Sequence, residues 1–295
     1  MSSLPAVVPV WRRAAGRLNG QVLVGAGALL ALALVAWLAP YLAPHGPNDQ
    51  DLLATLLPPA WAPGGDPAYP LGTDALGQCI LSRLIYSARV TVIIATSAPL
   101  GAALVGTAAA LLAGYCGGRI DWLVMRLVDV WLSFPAIVMA LVLMVALGPS
   151  IGSVIVAIVL VDWTRFCRVV RSEVLVARQR SYIPAARIAG ARHHSVLWRD
   201  IVPGLVPTLI ALVGIEIGVA VIAESVLSFV GVSVQADVPT WGRMLADGLA
   251  DVFSAPIGLI APMLCMVGTV FAASLLGEGL RHLNDAYKQR QGGAA

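Results

Sequence analysis

Five arginines, Arg178, Arg180, Arg187, Arg192 and Arg199, crowd one short stretch of a chain in which only 12% of residues are charged. The adjacent histidines His193 and His194 lie among them. That set carries positive charge and hydrogen-bond donors, so its chemistry is contact with a partner rather than bond-making. The other reactive side chains do not gather. Cys79, Cys116, Cys167 and Cys265 are far apart, with no CxxC pair and no histidine at ligand spacing. No metal site, redox motif or structural disulfide is therefore expected. Glu216 and Glu224 stand eight residues apart, about 80° around a helix, and share one broad face. Carboxylates in an apolar segment face protein or water, so the pair marks a pore or subunit contact. The competing reading gives Glu216 a structural partner inside the bundle and puts Glu224 at the outer interface. A further set, Pro239, Trp241 and Arg243, lies outside the apolar spans and suits either docking or an interfacial aromatic anchor.

The elements that hold these residues follow from composition. The 295 residues are 59% hydrophobic, with a mean hydropathy of +0.85. Soluble domains carry about 25% charged residues, roughly double the proportion here. The expectation is an all-α polytopic membrane protein in contact with lipid. The basic residues flank apolar spans, which argues against nucleic acid. A crossing needs about 20 apolar residues. Six stretches qualify, at 22–39, 90–113, 122–147, 151–161 (extending toward 170), 205–230 and 256–276. The fourth is the least clean, because Asp162, Arg165 and Arg168 intrude. The first also resembles a signal peptide, with Arg12, Arg13 and Arg17 before it, but its length favours an uncleaved anchor.

Orientation comes from the basic residues. With the N-terminus in the cytoplasm, only Arg83, Arg89 and Arg243 fall outside, and the other sixteen of nineteen Lys and Arg fall inside. The expected organisation is a cytoplasmic N-terminus (1–21), a first span (22–39) and an extracytoplasmic segment (40–89). A permease core (90–280) follows, with a cytoplasmic loop at 165–202 and an outer segment at 233–254. A cytoplasmic tail (281–295) ends the chain. Asp129 is expected to pair with Arg126 along its own helix, and Pro99 and Pro135 to kink their spans.

Within the loop, Pro184 suits a first helical turn, Ala185, Ala186 and Arg187 continue it, and Gly190 permits a bend. A second short helix runs from Ala191 through Arg192, His193 and His194 to about Arg199, before Pro203 opens the next span. The stretch Y-I-P-A-A-R-I-A-G, nine residues, then D-I-V-P resembles the "EAA" loop of ABC-importer permeases. Ala185, Ala186, Gly190 and Pro203 keep that spacing, while Pro184 replaces the glutamate. Four further blocks are similar to the C-type permeases of dipeptide and oligopeptide importers. They are LGTDALGQCILSRLIYSARVTV, GYCGGRIDWLVMRLVDVWLSFPAIVMAL, ESVLSFVGVSVQADVPTWGRML and LGEGLRHLNDAY. In the first block Gln78 and Cys79 stand where Arg-Asp is usual.

The resemblance implies a type I importer permease in the cytoplasmic membrane, moving dipeptides or oligopeptides. It implies a second homologous permease, two ATPase subunits that carry ATP and Mg, and an extracytoplasmic peptide-binding protein docked on the outer segments. Ala185, Ala186, Arg187, Gly190, Ala191, Arg192, His193, His194 and Pro203 would form the ATPase-coupling loop. The chain has no GxxxxGK[ST] motif, so neither ATP hydrolysis nor a bound cofactor is expected of it. Alternatives are the same importer class carrying a nickel complex or a glutathione-like peptide, or an ion-coupled secondary transporter using Glu216. A membrane enzyme is disfavoured by the scattered His45, His193, His194 and His282.

Overall fold

The computed structural model describes residues 20–179, 190 and 192–292, excepting the side chains of 193, 194 and 285–292. The described residues form helices and irregular segments, with no strand beyond two isolated bridges, Gln50 to Gln78 and Thr73 to Cys79. In order they are α1 (Gly20–Trp37), α2 (Ala39–Leu42), α3 (Ile80–Leu111), α4 (Gly118–Leu132) and α5 (Ala136–Leu147). Then come α6 (Ile151–Arg178), α7 (His193–Val196), α8 (Val202–Phe229), α9 (Trp241–Ala250) and α10 (Ile257–Gly292). One-turn π-helical segments, Leu112–Cys116 and Leu197–Ile201, follow α3 and lead into α8.

Among the described residues, four helical stretches are long and apolar enough to cross a membrane: Gly20–Trp37, Ile80–Cys116, Leu197–Phe229 and Ile257–Asn284. A fifth arises if α4 and α5 count together, but they meet at 90°. The stretch expected as the third span is therefore two helices and not one continuous helix. Pro135 explains the break: it has no N–H and forces the preceding residue out of the helical region. Pro99, by contrast, sits inside an uninterrupted α3. α3 also starts at Ile80, ten residues before the expected span, so the end of the 40–89 segment is helical. α6 is 28 residues long, about 42 Å and ample for a bilayer. Its charged residues keep it outside the apolar set. Ser150 caps it, its side chain accepting from the Ser153 amide at 3.0 Å, as a β-region N-cap should.

Between helices in lipid, close packing replaces the hydrophobic effect as the main attraction. Glycines set the crossings here. A Cβ on Gly25 of α1 would lie 2.6 Å from the Leu276 amide nitrogen of α10. One on Gly277 would lie 2.7 Å from the Ile215 nitrogen of α8. Gly106 of α3 meets the α6 backbone at Cys167 in the same way, at 2.9 Å. One end of the core gathers Ala36, Ile80, Leu84, Trp241 and Met244. The middle packs Ile94, Ala98, Met144, Ile158 and Leu227, and the opposite end packs Val128, Cys167, Val174, Ile201 and Leu205. Large apolar side chains cover the outside, such as Leu104, Val145 and Leu264. That is the surface a lipid-facing bundle presents.

Candidate functional site

The loop between α6 and α8 is anchored at both ends. On the α6 side, Arg171 donates two bonds to Asp121 of α4, and Arg168 donates to Asp129 at 2.8 Å. Arg178 reaches the Gly114 carbonyl at 3.4 Å. The expected Arg126–Asp129 pair is thus replaced. Asp129 bonds across to α6, and the Arg126 guanidinium lies 5.7 Å from the Trp122 ring centroid. Spacing along α4 could not disclose a partner supplied by another helix.

Ala185, Ala186, Arg187 and Ala191 lie outside the described residues, as do the side chains of His193 and His194. Gly190 is described and has φ +88°. Side chains rarely adopt that left-handed backbone. A Cβ there would meet nothing within 4 Å, so conformation and not crowding requires the glycine. Arg192 is exposed, and the next helix, α7, begins at His193. From Val196 the chain turns inward. Val196, Ile201 and Leu205 pack with Val128 of α4 and Cys167, Val170 and Val174 of α6. Pro203 lies in the first turn of α8, where a missing amide costs nothing. Trp198 is half exposed beside this plug.

Deeper in the bundle, Glu216 of α8 is 1% exposed and accepts from Arg165 Nη1 of α6 through both carboxylate oxygens, at 2.9 and 3.0 Å. Buried Asp162 adjoins it. Glu216 therefore faces a partner within the chain, while the Arg165 side chain is 51% exposed. Glu224 is 1% exposed within the chain, one oxygen accepting from Ser228 Oγ at 2.5 Å and the other without a partner among the described residues. Sequence reading missed Arg165 as a partner. The available signal was a basic and an acidic residue in two adjacent apolar segments, neither of which can stay unpaired there.

On the opposite side, the irregular segment before α3 is pinned by polar side chains. Thr73 is fully buried, accepts from the Leu57 amide at 2.9 Å and donates to the Ala54 carbonyl. Asp74 Oδ1 accepts from the Leu76 and Gln78 amides, both at 2.9 Å, and its other oxygen receives Arg83. This segment and α9 enclose a cavity of about 570 Å³. Pro239 and Trp241 are buried, the indole N–H donating to the Leu84 carbonyl at 3.2 Å. Neither ring is presented at the surface, because the start of α9 packs among α3, α8 and α10. Arg243 alone of the three expected docking residues lines the cavity. Among the described residues, no group of three or more His, Cys, Asp or Glu is placed to hold a metal.

Comparison with known proteins now resolves the family. Residues 106–286 match the binding-protein-dependent transport system inner membrane component, and residues 11–59 match the N-terminal membrane domain of oligopeptide transport permease C. The chain belongs to the binding-protein-dependent transport permeases. Relatives in this permease family include the dipeptide transport system permease DppC of Haemophilus influenzae, 34% identical over 90% of both chains. The glutathione transport system permease GsiD of Pectobacterium atrosepticum is 36% identical over 93% of this chain and 89% of its own. DppC of Escherichia coli is 36% identical over 90% of this chain and 89% of its own. As a member of this family, the permease is a multi-pass protein of the cytoplasmic membrane and a non-catalytic component of an ABC transport system.

Proposed function

We propose that this permease is one half of the membrane pathway of an ATP-driven peptide importer. It pairs with a second, homologous permease, takes motion from two ATPase subunits that hold ATP and Mg, and receives peptide from an extracytoplasmic binding protein. Six spans carry this arrangement, with α4–α5 as a broken third span, α6 as the fourth and both termini cytoplasmic. The charges of α6 are compatible with a span because Arg165 and Arg171 are held by Glu216 and Asp121. The half-exposed Arg165 guanidinium then faces the path or the second permease, since hydrocarbon would exclude it. The relatives named for dipeptides and for glutathione, itself a short peptide, support the substrate class.

The observation that carries the coupling role is the left-handed bend at Gly190, followed by a chain that plugs Val196, Ile201 and Leu205 between α4 and α6. A push on the exposed bend reaches several helices at once through that plug. A charged tether fixing only topology would require neither feature. Replacing Gly190 tests this. Asparagine tolerates the left-handed region, and valine does not. Gly190→Val costs about 1–2 kcal/mol of backbone strain, or roughly tenfold in the population of the working loop. ATP-driven peptide uptake by the reconstituted complex is expected to fall accordingly in Gly190→Val and to stay near the parent in Gly190→Asn. Unchanged uptake in both would remove the loop from the coupling step.

A further inference from the structure

The outer cavity is built from parts of the chain far apart in sequence. The Asn48 side chain donates to the Asp237 carbonyl at 2.7 Å and closes its rim across 189 positions. At its wall, Arg83 is 7% exposed and sits between Asp74 and Asp247, the latter at 3.6 Å. Asp74 is fully engaged by the turn it caps and by Arg83. Asp237 and Asp251 also line the cavity, and neither carboxylate forms an ion pair or side-chain hydrogen bond among the described residues. Arg243 is the only other cationic side chain of the lining. The wall thus carries Asp74, Asp237, Asp247 and Asp251 against Arg83 and Arg243, an excess of negative charge.

A second observation is independent of that charge. Gln78 is 6% exposed, lines the same cavity, and its carboxamide has no hydrogen-bonding partner among the described residues. An amide so enclosed normally has its bonds satisfied. Its oxygen is an acceptor in the same lining as carboxylates that are acceptors only. The group that answers the Gln78 oxygen and the carboxylates together is a cationic donor.

We propose that this cavity receives an ammonium or guanidinium group, held by Gln78 and the Asp237, Asp247 and Asp251 carboxylates. The group comes either from the peptide being imported or from a lysine or arginine of the binding protein. The inference rests on the proposed topology, which puts the cavity on the extracytoplasmic side.

The test uses the complete importer in sealed vesicles, with Cys116, the exposed cysteine, replaced by serine and Ala250 of the lining replaced by cysteine. Impermeant cationic (trimethylammonium) and anionic (sulfonate) methanethiosulfonates are added from one side at a time, and the mass of this chain is followed. After normalisation to a free thiol, the cationic reagent is expected to react at least about tenfold faster from the outside. Asp237→Asn with Asp251→Asn is expected to remove most of that preference, and Asp251→Asn alone part of it. Neither carboxylate supports the fold, and retained co-purification of the ATPase subunits controls for assembly.

A lysyl-alanine dipeptide that protects the cysteine identifies the substrate as the source. Protection by the binding protein but not by the dipeptide identifies the protein side chain. Labelling from outside with no charge preference, or protection by neither probe, overturns the cavity assignment and leaves the topology standing. Labelling only from the cytoplasmic side overturns the topology itself.

Discussion

Arg165→Met is expected to cost the protein about 3 kcal/mol of stability, at the lower end of what breaking a buried ion pair costs. The residue removed is half exposed, but the group left behind is not. Glu216 is 1% exposed, loses the guanidinium that bonds both its oxygens, and is left beside a second buried carboxyl group, Asp162. Glu216→Gln is expected to cost less, because the Arg165 head, 51% exposed, can turn toward water. Arg165→Met combined with Glu216→Met is expected to recover most of the loss, since removing both members of a buried pair is often near neutral. Detergent-resistance midpoints of the purified chain, arranged as a double-mutant cycle, measure the coupling directly. Additive losses with no recovery in the double variant would show that the pair does not hold α6 to α8.

The second large effect is steric. Gly106→Val places branched carbon where Gly106 already meets the Trp163 carbonyl, and its Cβ would stand 2.9 Å from the Cys167 nitrogen. Both obstacles are backbone, so α3 and α6 must separate. Overpacking of a rigid contact costs about 3 kcal/mol at the upper end of its usual range, and in lipid no hydrophobic gain repays the separation. The expected result is loss of assembled complex, seen as failure of the ATPase subunits to co-purify. Gly268 of α10 provides the comparison, because a Cβ there meets nothing within 4 Å. Gly268→Val is expected to assemble normally. Equal behaviour of the two variants would refute the crossing as the cause.

Which parts of this structure were legible in the sequence follows from the range of the forces involved. Apolar runs of about 20 residues fix spans locally, so the positions of α1, α8 and α10 were readable from composition. The bend at Gly190 and the first-turn place of Pro203 were readable too, because a left-handed bend and a first-turn proline are requirements of single residues. The break at Pro135 was signalled by the proline, but its 90° angle depends on how α5 packs against α6. Long-range pairing was not legible. Asp129 chose Arg168 over Arg126, and Glu216 chose Arg165, because the bundle brings those groups together across 39 and 51 positions. Trp241 misled for the same reason. An aromatic in an outer segment suits a docking surface, yet α9 turns its ring into the core against Leu84.

The central claim is that this chain supplies the path while separate ATPase subunits supply the drive through the 184–203 loop. The most direct measurement is peptide uptake into vesicles carrying the whole importer with its binding protein, compared with vesicles from which only the ATPase subunits are omitted. The account predicts uptake that needs ATP, vanishes without the ATPases, and falls roughly tenfold in Gly190→Val. Uptake that continues at the same rate without any ATPase subunit would contradict it.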